Sequence, residues 1–210
     1  MPELALEWRS MLVKEIRRKA IHLSGLSVPI GIVFLGRTVT AAAIALVLAV
    51  SLLLEVQRLK GKIRLPEVRD HEQTRVAGYI YYMAGSLLCV LLFPPMIAVT
   101  AMLFLSLGDT VSGLAGSILV NANVRCRNEL WCVKPLPIVA ATFTACLAIG
   151  YLASGLTRLS FPVYFAGAAG ATFADSVAIV IRNRCLDDNF SIPVFSGALM
   201  SAVALILMAA

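Results

Sequence analysis

Four aspartates, an asparagine and a few cations are the residues through which this 210-residue chain could do chemistry. Asp109 lies in AMLFLSLGDTVSGLAGSILV and Asp175 in GAAGATFADSVAIVI, both otherwise apolar runs. An ionisable group in such a run is costly, and it is functional by default, facing a partner or a water-filled cavity. The alternative is a protonated or paired group that serves packing alone. Asp187, Asp188 and Asn189 stand together in RNRCLDDNFSI, just before Pro193. Adjacent carboxylates there suit oxygen ligation of Mg²⁺ carried on a nucleotide, although a charge run in a loop is more often a solvated surface. Of opposite sign are Arg17, Arg18 and Lys19, with His22 one turn later, and Lys134 ahead of a later apolar run. Singly, such cations are topology signals and such a histidine is a satisfied interfacial residue. Carboxylates for a divalent cation and cations for phosphate on one face are, however, the two ingredients of phosphoryl transfer.

The elements that must position these groups are membrane helices. The chain is 60% hydrophobic and 14% charged, with a mean hydropathy of +0.88, whereas soluble domains approach one quarter charged. A span needs roughly 20 apolar residues, so the expected fold is all-α, a polytopic membrane protein of about seven transmembrane helices. The runs are approximately 20–36, 39–56, 76–93, 95–120, 137–156, 162–181 and 193–210, punctuated by Pro94, Pro95, Pro135, Pro137, Pro162 and Pro193 where loops hand over to helices. Before them, residues 1–19 carry Leu4, Trp8, Leu12 and Ile16 at helical spacing with charges around the rest of the wheel. That pattern reads as an amphipathic interfacial helix, retained rather than cleaved as a signal. Residues 20–210 form one membrane domain with no room for a soluble catalytic module, so a site must be built from helix ends and loops.

Charge sets the expected orientation. All Lys and Arg except Arg37 and Arg158 fall in the N-terminal segment or in the loops near 57–75, 121–136 and 182–192. By the positive-inside rule that face is cytoplasmic, with the N-terminus inside and the C-terminus outside. Every acidic residue except Asp109 and Asp175 lies in the same segments or at the adjoining helix ends. The net charge of +6 is dispersed among spans, which fits topology and anionic headgroups rather than nucleic acid. Cys89, Cys126, Cys132, Cys146 and Cys185 contain no CxxC pair and match no zinc spacing, so free thiols are expected. Neither GxxxxGK[ST] nor GxGxxG occurs, which excludes the soluble kinase motifs. Ser112, Gly113 and Gly116 share a helical face with Asp109 and let a backbone or ligand approach closely.

From about residue 15 to 200 the chain resembles the dolichol kinase, phytol kinase and CTP-dependent diacylglycerol kinase family. Glu15-Ile16-Arg17-Arg18-Lys19-Ala20-Ile21-His22, with Gly25 after it, looks like an ExxRKxxH opening. Glu55 and Arg75-Val76-Ala77-Gly78-Tyr79-Ile80-Tyr81-Tyr82 resemble two weaker features. Gly108-Asp109-Thr110-Val111-Ser112-Gly113-Leu114-Ala115-Gly116 is similar to a GDxxAxxxG segment. Leu186-Asp187-Asp188-Asn189-Phe190-Ser191-Ile192-Pro193 is similar to DDNLxIP, with Phe190 in place of Leu. The chain departs at Lys134-Pro135-Leu136-Pro137, which keeps the family's lysine but lacks its Ser-x-Glu-Gly-Ser, and Asp175 stands where an intramembrane Glu is usual.

The resemblance implies transfer of the CTP γ-phosphate to the hydroxyl of a membrane lipid alcohol, a polyprenol or dolichol first and a diacylglycerol-type lipid second. It implies Mg²⁺ as cofactor, held by Asp109, Asp187 and Asp188. Asp109 and Asp175 would be catalytic, with His22 a secondary base. Arg18, Lys19, Lys134 and Asn189 would bind the nucleotide, with Gly113 and Gly116 leaving room. The site would face the cytoplasm from a prokaryotic cell membrane, or from the endoplasmic reticulum as the second expectation. Oligomeric state is left open. Two alternatives remain at this level: a CTP:phosphatidate cytidylyltransferase-like enzyme, whose KRxxxxKD and DRxD signature is missing, and a small cation-coupled transporter relaying through Asp109 and Asp175.

Overall fold

The structure, a computed structural model, describes residues 23–63, 73, 75–119, 133–177, 180–181 and 184–209. The expected amphipathic helix and the residues Arg18, Lys19 and His22 lie outside them. The described part is helical apart from one two-residue hairpin: α1 (Ser27–Leu59), α2 (Gly78–Leu92), α3 (Pro95–Leu103), a π-turn (Phe104–Gly108), α4 (Asp109–Leu119), α5 (Leu136–Leu152), the short α6 (Ser154–Thr157), α7 (Phe161–Ser176), β1 (Val180–Ile181), β2 (Arg184–Cys185) and α8 (Asp188–Ala209).

Among the described residues, three helices are long and apolar enough to cross a membrane: Ser27–Leu59, the continuous run Pro95–Ile118, and Asp188–Ala209. The chain is thus an integral membrane protein by composition and helix length. α2 and α5 are apolar but only 15 and 17 residues long, so length singles out fewer than the seven expected spans. α1 is not one rod. Gly36 has φ 81° and ψ 166° inside it, a region open essentially to glycine alone. A Cβ on Gly31 would lie 3.0 Å from Thr40 Oγ1, although residues nine apart in a straight helix are separated by about 13 Å. The chain therefore turns back on itself at Gly36, inside the break expected between 36 and 39.

Two other limits shift. α7 ends at Ser176 rather than near 181, because Val177 becomes extended and bridges to Val133. α8 begins at Asp188, so Pro193 lies within it instead of at its start. Proline has no N–H to offer the Asn189 carbonyl four residues earlier, and α2 packs on that spot: a Cβ on Gly85 would meet Asn189 O at 2.8 Å and Phe190 Cα at 2.9 Å.

The core lies where α3, the π-turn, α7 and α8 meet, around the fully buried Met102, Phe104, Leu105, Ile192 and Met200. α7 and α8 pack most extensively, and Gly170 brings α7 against the backbone of Phe195 and Ser196. Large apolar side chains on the outer limb of α1 and the end of α8, including Leu46, Leu53, Leu205 and Met208, are exposed, as lipid-facing surfaces require.

A buried ion pair ties α1 to α2. Arg58 donates through Nε and Nη2 to both oxygens of Glu55 at 2.8 and 2.6 Å. The same carboxylate accepts from Ala77 N at 2.8 Å and Tyr79 Oη at 2.5 Å, while Arg58 also reaches the Gln73 and Arg75 carbonyls. With these hydrogen bonds satisfied, the pair fixes where α2 begins.

Candidate functional site

Three helix ends and one mid-helix position converge. Asp175 is the penultimate residue of α7, Asp188 opens α8, Lys134 precedes α5, and Asp109 follows the π-turn between α3 and α4. A π-turn inserts an extra residue per turn and often marks a functional position. Here the Asp109 amide donates five residues back, to Phe104 O. The dilated turn presses on α5: a Cβ on Gly108 would lie 2.5 Å from Cys146 Sγ. Although Asp109 sits mid-way along Pro95–Ile118, its carboxylate meets those at the end of α7 and the start of α8.

Asp109, Asp175 and Asp188 each present a carboxylate oxygen, all within 4.8 Å of one another. Asp109 and Asp175 are buried and Asp188 half-buried. Lys134 Nζ donates to Asp175 Oδ1 at 2.7 Å and to Ser112 Oγ at 3.0 Å. Ser112 in turn donates to Asp175 Oδ2 at 2.6 Å. Thr142 Oγ1 stands 3.4 Å from the same Oδ2, but at 2.9 Å it also reaches the Ile138 carbonyl, the better partner for its single hydrogen. Asp175 is therefore held by two donors from separate segments, Lys134 ahead of α5 and Ser112 on α4. Lys134 is placed by its backbone, whose N–H donates to Ser176 O at 2.9 Å beside the Val133–Val177 bridge.

Burial alone would lower the pKa of the Lys134 ammonium, but the Asp175 carboxylate, with Asp188 and Asp109 beyond it, outweighs that and holds the group above the ordinary lysine value. With all three carboxylates ionised, one ammonium would leave two negative charges, the complement of a divalent cation. All-oxygen donors suit Mg²⁺ or Ca²⁺. Mg²⁺ at about 2.1 Å from each donor spans at most about 4.2 Å between opposite ligands and keeps several waters. The 4.8 Å spread thus accommodates it with at least one aspartate acting through water.

Asp187, expected as a metal ligand, is half-buried and has Oδ1 on the Asn189 amide at 3.0 Å, as does Asp188 Oδ1. The trio that converges contains Asp175 instead. Asn189 is buried beside the cluster, and its Oδ1 has no protein partner among the described residues. Gly116 is buried against α5, where a Cβ would meet Ile138 Cδ1 at an ordinary 3.6 Å, while Gly113 is half-buried on α4. Thr142 and the hydrogen-bonding role of Ser112 were not anticipated, since a hydroxyl in an apolar run has no spacing that announces it. Cys89 and Cys146 are free buried thiols.

Comparison with protein-family models, with curated proteins and with solved structures finds no match. The likeness to a kinase family rests on the motifs alone.

Proposed function

We propose that the protein is a CTP-dependent lipid-alcohol kinase, converting the hydroxyl of a membrane alcohol, polyprenol or dolichol-like, to a monophosphate and releasing CDP. The observation that supports this most is the convergence of Asp109, Asp175 and Asp188 on one point with Lys134 beside them. These residues come from separate motifs of the resemblance, and together they supply anionic donors for a metal-bound triphosphate and a cation for its phosphates.

Asp109 and Asp188 would hold Mg²⁺, which supplies charge neutralisation on the transferring phosphoryl group when bound. Lys134 would turn part of its charge from Asp175 to the phosphates, leaving Asp175, still held by Ser112, to accept the alcohol proton. The alcohol oxygen bonds to the γ-phosphorus, the bond from that phosphorus to the β–γ bridging oxygen breaks, and CDP leaves with the electron pair. Asn189 would orient the nucleotide. Arg18, Lys19 and His22 keep the roles the resemblance implies, as further phosphate contacts and a secondary base. The charge pattern supports a cytoplasmic site with the N-terminus inside and the C-terminus outside.

The test is a comparison of CTP with ATP on purified protein, using polyprenol, phytol and diacylglycerol as acceptors and identifying the products. CDP with a lipid monophosphate is expected. Pyrophosphate with a CDP-lipid would replace this reading by a cytidylyltransferase, and no turnover with any acceptor would end it.

A further inference from the structure

Both oxygens of Asp175 have donors: Lys134 Nζ lies 2.7 Å from Oδ1 and Ser112 Oγ 2.6 Å from Oδ2. Asp175 is also one of the three carboxylates whose oxygens converge within 4.8 Å. The ammonium therefore sits on a group that a metal ion at the cluster would share. An oxygen turned to an ammonium is a poorer ligand, and a positive charge this close opposes a divalent cation, because water and salt screen a partly buried pair weakly. The lysine is seated by its backbone, whose N–H donates to Ser176 O at 2.9 Å beside the Val133–Val177 bridge. Its side chain, by contrast, is 29% exposed where that of Asp175 is 1% exposed. Of the two partners, the lysine is the one that a soluble anion reaches. A compact charge on a flexible four-carbon stem turns to a new anion without moving the backbone, and Asp175 keeps Ser112 when it does.

We propose that Lys134 is an internal counter-ion that makes the cluster select a metal ion carried on a polyphosphate over the free ion. Without phosphate, the ammonium stays on Asp175 and opposes a lone divalent cation. Phosphates arriving with the metal draw the ammonium to themselves, and the carboxylate charge it releases then attracts the metal. Metal and polyphosphate binding are coupled in this way, and by linkage each tightens the other by the same factor. Identifying these phosphates with those of CTP rests on the kinase reading. The coupling itself needs only a polyphosphate and a divalent cation, and it is measured without turnover.

The test uses the full chain in phosphatidylcholine nanodiscs. Binding of Mn²⁺ alone is followed by electron paramagnetic resonance, and binding of radiolabelled inorganic triphosphate together with Mn²⁺ is followed by retention on the nanodiscs. Lys134→Met should tighten binding of Mn²⁺ alone by roughly tenfold or more and weaken binding of the Mn²⁺–triphosphate complex by a similar factor. Lys134→Gln, which keeps a polar end for Asp175, should do the same and replaces Lys134→Met should that variant not fold. Lys134→Arg, which keeps the charge, should leave binding of Mn²⁺ alone as weak as in the wild type. Lys60→Met, at an exposed cation after α1, should change neither measurement. A lysine that only orients Asp175 gives the opposite sign, so weaker binding of Mn²⁺ alone in Lys134→Met and Lys134→Gln overturns the proposal. Equal tightening by Lys60→Met, or complex binding undiminished by Lys134→Met, overturns it too. The expected pattern without phosphate transfer from CTP upholds the counter-ion while the kinase reading falls. Transfer from CTP with binding of Mn²⁺ alone weakened by both neutral variants does the reverse.

Discussion

Asp175 has Lys134 and Ser112 on its two oxygens, and Asp109 and Asp188 approach it from other elements. With Mn²⁺ as a spectroscopic probe, Asp109→Asn and Asp188→Asn should each weaken binding by roughly 10- to 100-fold. Asp187→Asn should weaken it less, because its carboxylate is not among the three whose oxygens converge. Equal losses in all three would contradict the trio. Lys134→Met strands Asp175 and should cost about 3 kcal/mol of stability, the lower end for a broken buried pair, since the lysine side chain is 29% exposed. The pH dependence follows from the raised lysine pKa. The pair's contribution is fully present below the unfolded value of about 10.4 and is lost as pH rises through the higher folded value. Melting of the wild type in detergent should therefore hold across neutral pH and approach that of Lys134→Met only under strongly alkaline conditions. Asp109, Asp175, Asp188 and Lys134 were legible in the sequence because a charge in or beside an apolar run stands out. Spacing puts Ser112 on the Asp109 face, but its bond to Asp175 and the nearness of Thr142 were not legible, since they depend on how separate helices are rotated against one another.

The elements place these residues by close approach of backbones. Gly85→Ala puts a Cβ 2.8 Å from Asn189 O and 2.9 Å from Phe190 Cα, both backbone atoms that move only if the start of α8 moves. Turnover should fall on the order of 100-fold, the scale for a misplacement of about 1 Å, with the protein still inserted. Gly116→Ala, whose Cβ meets only a side-chain methyl at 3.6 Å, should be near neutral in the same assay. Gly36→Ala, at φ 81°, should lower stability by about 1–3 kcal/mol, measured by thermal melting. Helix limits set by proline pairs and apolar runs were legible within a few residues for α2, for the continuous run from α3 to α4, and for α5. The π-turn was not, because one extra residue in a wholly apolar segment leaves no trace in its periodicity. The early start of α8 was missed for a related reason: Pro193 marks a helix start by habit, but a proline is also tolerated inside a helix where its missing donor leaves a carbonyl free for a neighbouring element.

At the scale of the molecule, the acids that define the cluster come from the end of α7, the start of α8 and the π-turn junction, so one end of the bundle carries the site. A second buried ion pair, Glu55 with Arg58, ties α1 to the start of α2, and α2 reaches the start of α8 through Gly85. This one-ended arrangement was foreshadowed by the segregation of charged residues along the chain, and the fold-back at Gly36 by the break between the apolar runs 20–36 and 39–56, whereas the distribution of helix lengths was not. The most direct test of the whole account follows the γ-phosphate itself. Purified protein in lipid nanodiscs is given a long-chain isoprenoid alcohol, Mg²⁺ and CTP labelled at its γ-phosphate, and the label is traced to the lipid or aqueous phase. Label in a lipid monophosphate with one CDP formed per transfer is expected, abolished by chelation of Mg²⁺ and by Asp109→Asn with membrane insertion intact. Label that never enters the lipid, or transfer that Asp109→Asn leaves undiminished, would contradict it.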